Sequence, residues 1–140
     1  MTVEDFLTSY RRCAAEIDHM TKELEAARAS LTGLRAIVYD DMPKSRDTER
    51  DLSAALITYE KRAKRLTQVI RADLERMRQV EQAIRTAPSR IEYQVLWMRY
   101  VDGLTMEGIA ERLDVSRQWV SKVRNKGLCN ILINWDEVKE

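Results

Sequence analysis

The residues best suited to chemistry lie together at 116–126, Ser-Arg-Gln-Trp-Val-Ser-Lys-Val-Arg-Asn-Lys. At about 100° of turn per helical residue, Gln118, Ser121, Lys122 and Asn125 share one face, opposite Val120 and Val123. Arg117 and Arg124 border that face on one edge and Lys126 on the other. The segment holds four cations and no acidic residue. Glutamine and asparagine amides pair bidentately with adenine edges, arginine and lysine with guanine, and spare cations hold phosphates. Ser116 stands where a helix cap is due, and a capped N-terminus itself attracts phosphate. A basic helix face can equally be solvated surface that touches nothing, so its meaning depends on what precedes it.

What precedes it is a second short helix and a tight turn. Thr105 is placed to cap that helix, with Glu107 and Glu111 in its opening turns and Ile109, Ala110 and Leu113 on its inner side. Ala110 falls where the two helices would touch and only a small side chain fits. Asp114-Val115 turns the chain, aspartate being one of the few residues that tolerate left-handed backbone. The pattern from Tyr100 to Val123 is that of a helix-turn-helix.

The run IEYQVLWMRYVDGLTMEGIAERLDVSRQWVSKVRNKGLCNIL, residues 91–132, resembles region 4 of the bacterial sigma-70 family. The likeness is carried by LWMRYVDGLT at the end of a leading helix, then GIAERL, then VSRQWVSKV, then a small-residue-plus-leucine step. The chain as a whole resembles the small sigma-like transcription regulators of phages and mobile elements, of the ArpU and RinA type. Those pair a helical N-terminal half, often with a Met-Pro-basic loop like Asp41-Met42-Pro43-Lys44, with a region 4-like C-terminus. The resemblance implies a sequence-specific regulator, an activator of phage or mobile-element genes, that binds double-stranded promoter DNA and works with RNA polymerase. Ser116, Arg117, Gln118, Ser121, Lys122, Arg124, Asn125 and Lys126 are its expected DNA-binding residues. Gly127 departs from the family, which usually has alanine there. A mid-helix glycine costs about 1 kcal/mol relative to alanine, so the helix is expected to fray or bend at that point.

The elements that must carry this unit are long helices. Only 4 Gly and 2 Pro, with 34% charged residues, leave room for few turns. Val3, Phe6, Tyr10, Cys13, Ile17, Met20, Leu24, Ala27, Leu31 and Leu34 recur in steps of three and four. Such a stripe wraps one helix on another and is too narrow to wall a globular core. A second stripe runs through Leu52, Leu56, Tyr59, Ala63, Leu66, Ile70, Met77, Val80 and Ile84. Asp73 interrupts it, and Leu74 beside it implies a local shift of the stripe. Residues 37–46 read as the connecting loop. The expected fold is all-α: an antiparallel helical hairpin, a coiled coil over residues 1–86, then a helix-turn-helix domain over 87–140. Ile57 and Val69 lie exposed on the flanks, and a homodimer through the coil would cover more apolar surface and present two reading heads.

Other patterns exclude more than they add. No apolar run reaches the roughly 18–20 residues needed to cross a bilayer, and the N-terminus lacks the layout of a signal peptide. Cys13 and Cys129 share no metal or redox spacing and read as buried, reduced thiols of a cytoplasmic protein. His19, the only histidine, falls off the seam as a surface residue, so no histidine-based metal site is expected. No phosphate loop and no nucleophile–base pair appears, so neither an enzyme nor a cofactor is expected. The net charge of +1 averages over unlike parts, and a phosphate sees local charge within about 8–10 Å. Lys61-Arg62-Ala63-Lys64-Arg65 reads either as the solvated flank around a buried Ala63 or as a contact to DNA backbone. Trp119 is expected to pack on the helix 106–113, with stacking on a sugar or a thymine methyl as the alternative. Trp97, Tyr100 and Trp135 read as core or cap residues, with Leu128, Ile131 and Leu132 folding back on the leading helix. The functional alternative is an oligomeric DNA-binding assembly or adaptor protein, such as a small DNA-packaging subunit, which would form a ring.

Overall fold

A reciprocal cap opens the first helix. The Thr2 hydroxyl accepts from the Asp5 amide at 3.1 Å and the Thr2 amide donates to the Asp5 carboxylate at 3.2 Å. The Thr2 hydrogen bonds hold the Asp5 carboxyl below its usual range. The computed structural model describes residues 2–39 and 46–133, and among them it contains no strand. Helix α1 spans Val3–Tyr39 and helix α2 spans Arg46–Arg85. Both reach further into the expected loop than its boundaries allowed. The Asp41-Met42-Pro43-Lys44 stretch and Trp135 lie outside the described residues. Three shorter helices follow: α3 at Arg90–Leu96, continued by a π-helical turn at Trp97–Val101, α4 at Met106–Leu113 and α5 at Arg117–Ile133.

Packing divides the chain into two units, and the division does not fall at residue 86. One unit is Ala15–Asp73; the other joins the first residues, up to Ala14, to everything from Leu74 onward. The reason is the width of the apolar face.

In the unit Ala15–Asp73 the stripes behave as a seam. Ile17, Met20, Leu24, Ala27, Leu31 and Leu34 on α1 are half-buried, as are Leu52, Leu56, Tyr59, Ala63 and Ile70 on α2. Among the described residues there, Leu66 alone is buried, at 5% exposed. The Arg62 guanidinium donates to the Glu23 carboxylate across the pair, and further along α1 Ala27, Leu31 and Leu34 line one groove with Ala55, Thr58 and Tyr59, so the helices run antiparallel. That hydrogen bond holds the Glu23 carboxyl below its usual range. Asp73 stays on the seam, half-buried, with Oδ2 lacking a partner among the described residues. Leu74 is 52% exposed, so the stripe is interrupted and not shifted.

In the other unit the same two helices wall a core. Val3, Phe6 and Leu7 of α1 pack with Val80, Ala83 and Ile84 of α2, Leu96 of α3, Tyr100 of the π-helical turn and Ile131 of α5. Leu7 and Ala83 lie beside the heptad positions, yet are 0% and 1% exposed. A stripe of two residues per two turns has become a full core face. Each large aliphatic side chain buried there contributes about 1.5–3 kcal/mol. The Arg76 guanidinium sits over the Phe6 ring, 5.5 Å from its centroid, and the Tyr10 hydroxyl donates to Glu81 at 3.1 Å. Burial, with that carboxylate as hydrogen-bond partner, raises the Tyr10 phenol above its ordinary value.

Candidate nucleic-acid interface

Helix α3 supports the interface and is fixed at both ends. The Ser89 hydroxyl accepts from the Glu92 amide at 3.2 Å, the expected cap. The Glu92 carboxylate is buried and takes the Asn130 side-chain amide on both oxygens, at 3.3 and 3.2 Å, latching α3 to α5. The chain then widens by one residue into the π-helical turn, closed by the Asp102 amide on the Trp97 carbonyl at 3.0 Å. The Tyr93 and Trp97 rings stack, with centroids 5.7 Å apart. Gly103 follows at φ 74°, a left-handed conformation that costs glycine nothing. Arg11 lies against it and donates to the Val101 carbonyl at 3.3 Å; a Cβ on Gly103 would stand 2.9 Å from that guanidinium. Arg99 donates to the Leu104 carbonyl at 3.0 Å and holds the turn before α4.

The turn between α4 and α5 is built as its residue types require. The Thr105 hydroxyl accepts from the Gly108 amide at 3.1 Å. Asp114 takes the left-handed conformation, φ 56° and ψ 51°. The Val115 amide bonds back to the Ala110 carbonyl at 3.0 Å and the Asp114 amide to the Glu111 carbonyl at 3.3 Å, closing α4 in a Schellman turn. The Ser116 hydroxyl accepts from the Trp119 amide at 3.1 Å and starts α5. Val95, Met106, Ile109, Ala110 and Val120 form a second buried core under the turn, with Leu113, Val115 and Val123 packed against it. Ala110 is the small residue at the helix crossing, as its spacing predicts.

Gly127 corrects an expectation. Helix α5 runs unbroken through it to Ile133, and the glycine is buried. A Cβ there would meet Leu96 Cδ1 at 2.9 Å, and Leu96 is fully buried. The missing side chain lets α3 and α5 close together, which offsets the helix-propensity cost.

The outer face of α5 lies open. Ser116, Arg117, Gln118, Lys122, Asn125 and Lys126 are exposed, and Ser121 is half-buried. Arg124 is half-buried too: its Nε is enclosed, while Nη2 donates to Asn125 Oδ1 at 3.3 Å. Behind it stands buried Tyr100, whose hydroxyl has no partner among the described residues. Burial and the Glu4 carboxylate push that phenol up against the opposing pull of Arg124. Arg117 is not free in this state, since its Nη1 pairs with Glu107 Oε1 of α4 at 2.8 Å. Sequence reasoning placed Glu107 only as a helix-start residue. The ten-residue separation spans two helices, so only the angle between them reveals the pair.

Three side chains are more exposed than expected. Trp119, expected to pack on the helix 106–113, is 37% exposed and belongs to neither core cluster. Cys129 is exposed while Cys13 is buried. Ile131 enters the core and Leu128 packs against it, but Leu132 is 59% exposed.

A family model for sigma-70, region 4 matches residues 89–131, from the Ser89 cap to the buried Ile131. Residues 89–131 are a sigma region 4-like helix-turn-helix. The match covers less than a third of the 140 residues and ends one residue past Asn130 of the α3–α5 latch. Region 4 is a DNA-binding, non-enzymatic type of domain. No curated protein and no solved structure matches the chain. Among the described residues no helix is long and apolar enough to cross a membrane, and no three His, Cys, Asp or Glu side chains converge as metal ligands.

Proposed function

We propose that this chain is a sequence-specific DNA-binding transcription regulator that reads promoter DNA with α5. One observation carries the reading: the face of α5 turned away from both cores is polar and basic, on the element that the region 4 match makes the second helix of the motif. Gln118, Ser121, Lys122 and Asn125 are the base-reading set. Arg117, Arg124 and Lys126 hold phosphates from the two edges, with Ser116 and the α5 N-terminus as a further phosphate contact. Arg117 trades its Glu107 partner for DNA on binding. The enclosed Nε of Arg124 fixes the direction of its remaining donors. The regulator acts with RNA polymerase, as an activator of phage or mobile-element genes. It pairs as a homodimer through the long helices, whose seam stays half-covered in one chain.

The test is selection from a randomised duplex pool, with wild type and an Arg117→Ala/Gln118→Ala variant compared. Wild type is expected to enrich a motif, and the variant to lose that preference while keeping weak, salt-sensitive binding. Identical enrichment by both proteins removes α5 as the reading element. A ring of many copies in solution, in place of a dimer, favours a packaging or assembly protein instead.

A further inference from the structure

The outward face of α2 holds a dense run of cations. Residues 61–72 contain Lys61, Arg62, Lys64, Arg65 and Arg71 and no acidic residue, in a chain whose 24 cations and 23 acids otherwise nearly balance. All five cations are exposed. At about 100° per residue, Lys61, Lys64, Arg65, Gln68 and Arg71 lie within an arc of about 120°, on the side of α2 opposite the seam residues Ala63, Leu66 and Ile70. Arg62 turns aside to Glu23, and Arg65 lies close enough to lower the same carboxyl. Among the described residues Lys61, Lys64 and Arg71 have no ion-pair partner. A solvated coiled-coil flank normally alternates sign so that such charges are compensated, and this one does not.

The composition of the face says what it fits. Protein interfaces are depleted in lysine and centre on apolar or aromatic anchors. Between residues 61 and 72 the exposed side chains are the five cations, Gln68 and the methyl of Ala72. A straight rise of about 1.5 Å per residue makes the run from Lys61 to Arg71 about 15 Å long. Duplex DNA presents a phosphate charge about every 1.7 Å of its axis, so a face of that length meets several.

We infer that the Lys61–Lys64–Arg71 face of α2 is a second DNA contact, a sequence-independent phosphate-binding stripe separate from the base-reading face of α5. This rests on the reading of the chain as a DNA-binding protein. The stripe adds affinity and salt dependence without adding preference, because a helix face of point charges touches no base edge.

The test uses the full chain and three variants, each measured on a selected duplex and an unrelated duplex across a salt series. Lys61→Gln/Lys64→Gln/Arg71→Gln removes the stripe, and glutamine preserves helix propensity at exposed sites. Lys22→Gln/Arg28→Gln/Arg35→Gln removes equal charge from exposed positions of α1. Arg117→Ala/Gln118→Ala disables the reading face. For the stripe variant, the slope of log K against log salt is expected to fall by about two to three units, at about 0.9 per phosphate contact. Its affinity for both duplexes should drop roughly 10- to 100-fold near physiological salt, with the ratio between them unchanged. The α1 variant should match wild type, and the reading-face variant should lose the ratio while keeping most of the slope. An unchanged slope in the stripe variant overturns the inference and leaves the role of α5 intact. So does an equal fall in the stripe and α1 variants, which would make the effect one of overall charge. Stripe-dependent binding to polyglutamate as tight as to duplex overturns it in favour of an acidic protein partner. Failure of wild type to bind any duplex at low salt removes both proposals.

Discussion

The long helices change character along their own length. From Ala15 to Asp73 the apolar positions meet at a seam in which, among the described residues, Leu66 alone is buried. In the other unit the first turns of α1 and the last turns of α2 enclose Leu7, Val80 and Ile84 completely, against α3 and α5. The periodicity is the same heptad in both. Apolar flanks occur in both, Ile57 beside Leu56 as well as Leu7 beside Phe6 and Ala83 beside Ile84, and the difference is the short helices that the second region has to pack on. A heptad therefore specifies that a helix has a partner, and the further helices that pack on it decide whether its apolar flanks are enclosed.

Substitutions in the two regions should separate them most widely at their cores. Ile109→Ala removes a fully buried side chain beneath the turn and should cost about 2–5 kcal/mol in denaturant unfolding. Leu31→Ala, on the half-buried seam, should cost roughly 1 kcal/mol, since part of that side chain is already wet. Equal losses would erase the distinction between core and seam. A large loss at Leu31 that grows with protein concentration would show the seam covered by a second copy.

The glycines sharpen the contrast by opposite signs. Gly33→Ala in α1 meets nothing within 4 Å and should stabilise by about 0.5–1 kcal/mol. Gly127→Ala gains the same propensity but drives a methyl into Leu96, and overpacking of about 1–3 kcal/mol should leave a net loss. Thermal melts of the two variants moving in the same direction would mean that the α3–α5 approach is slack.

The smallest effects are electrostatic. Glu107→Gln releases Arg117 and removes a carboxylate beside the proposed phosphate contact, so duplex affinity should rise a few-fold, with the gain shrinking in high salt. In the seam, Glu23 has a depressed carboxyl. Its contribution to stability is present above the unfolded value, near 4.5, and is lost as pH falls through the folded value. Glu23→Gln should therefore flatten the acid limb of the stability profile slightly and leave neutral pH almost unchanged; a shift confined to neutral pH would assign Glu23 another role.

Much of this was legible in the residues because it is local. Ser89, Thr105 and Ser116 cap where their hydroxyls stand one residue before a helix, and Asp114 takes the left-handed turn that its type allows. Capping and turn chemistry act over three or four residues, so sequence spacing contains them. The features that escaped depend on packing between distant segments. Gly127 looked like a helix defect because its compensation, Leu96, lies in another helix. The Arg117–Glu107 pair depends on the angle between α4 and α5, and Trp119 on which side of that angle stays open. The enclosure of Leu7 required knowing that α3 and α5 would come to rest on the two helix ends.

The central claim is that α5 reads bases, and the most direct measurement is a cycle pairing Gln118→Ala with substitutions at each base pair of the selected duplex. The account predicts about 1–3 kcal/mol of coupling at one base pair and additive effects at the others, since a bidentate amide answers to a single adenine. Uniform weakening at every position, with no coupled base pair, would contradict it and leave the face of α5 a phosphate contact alone.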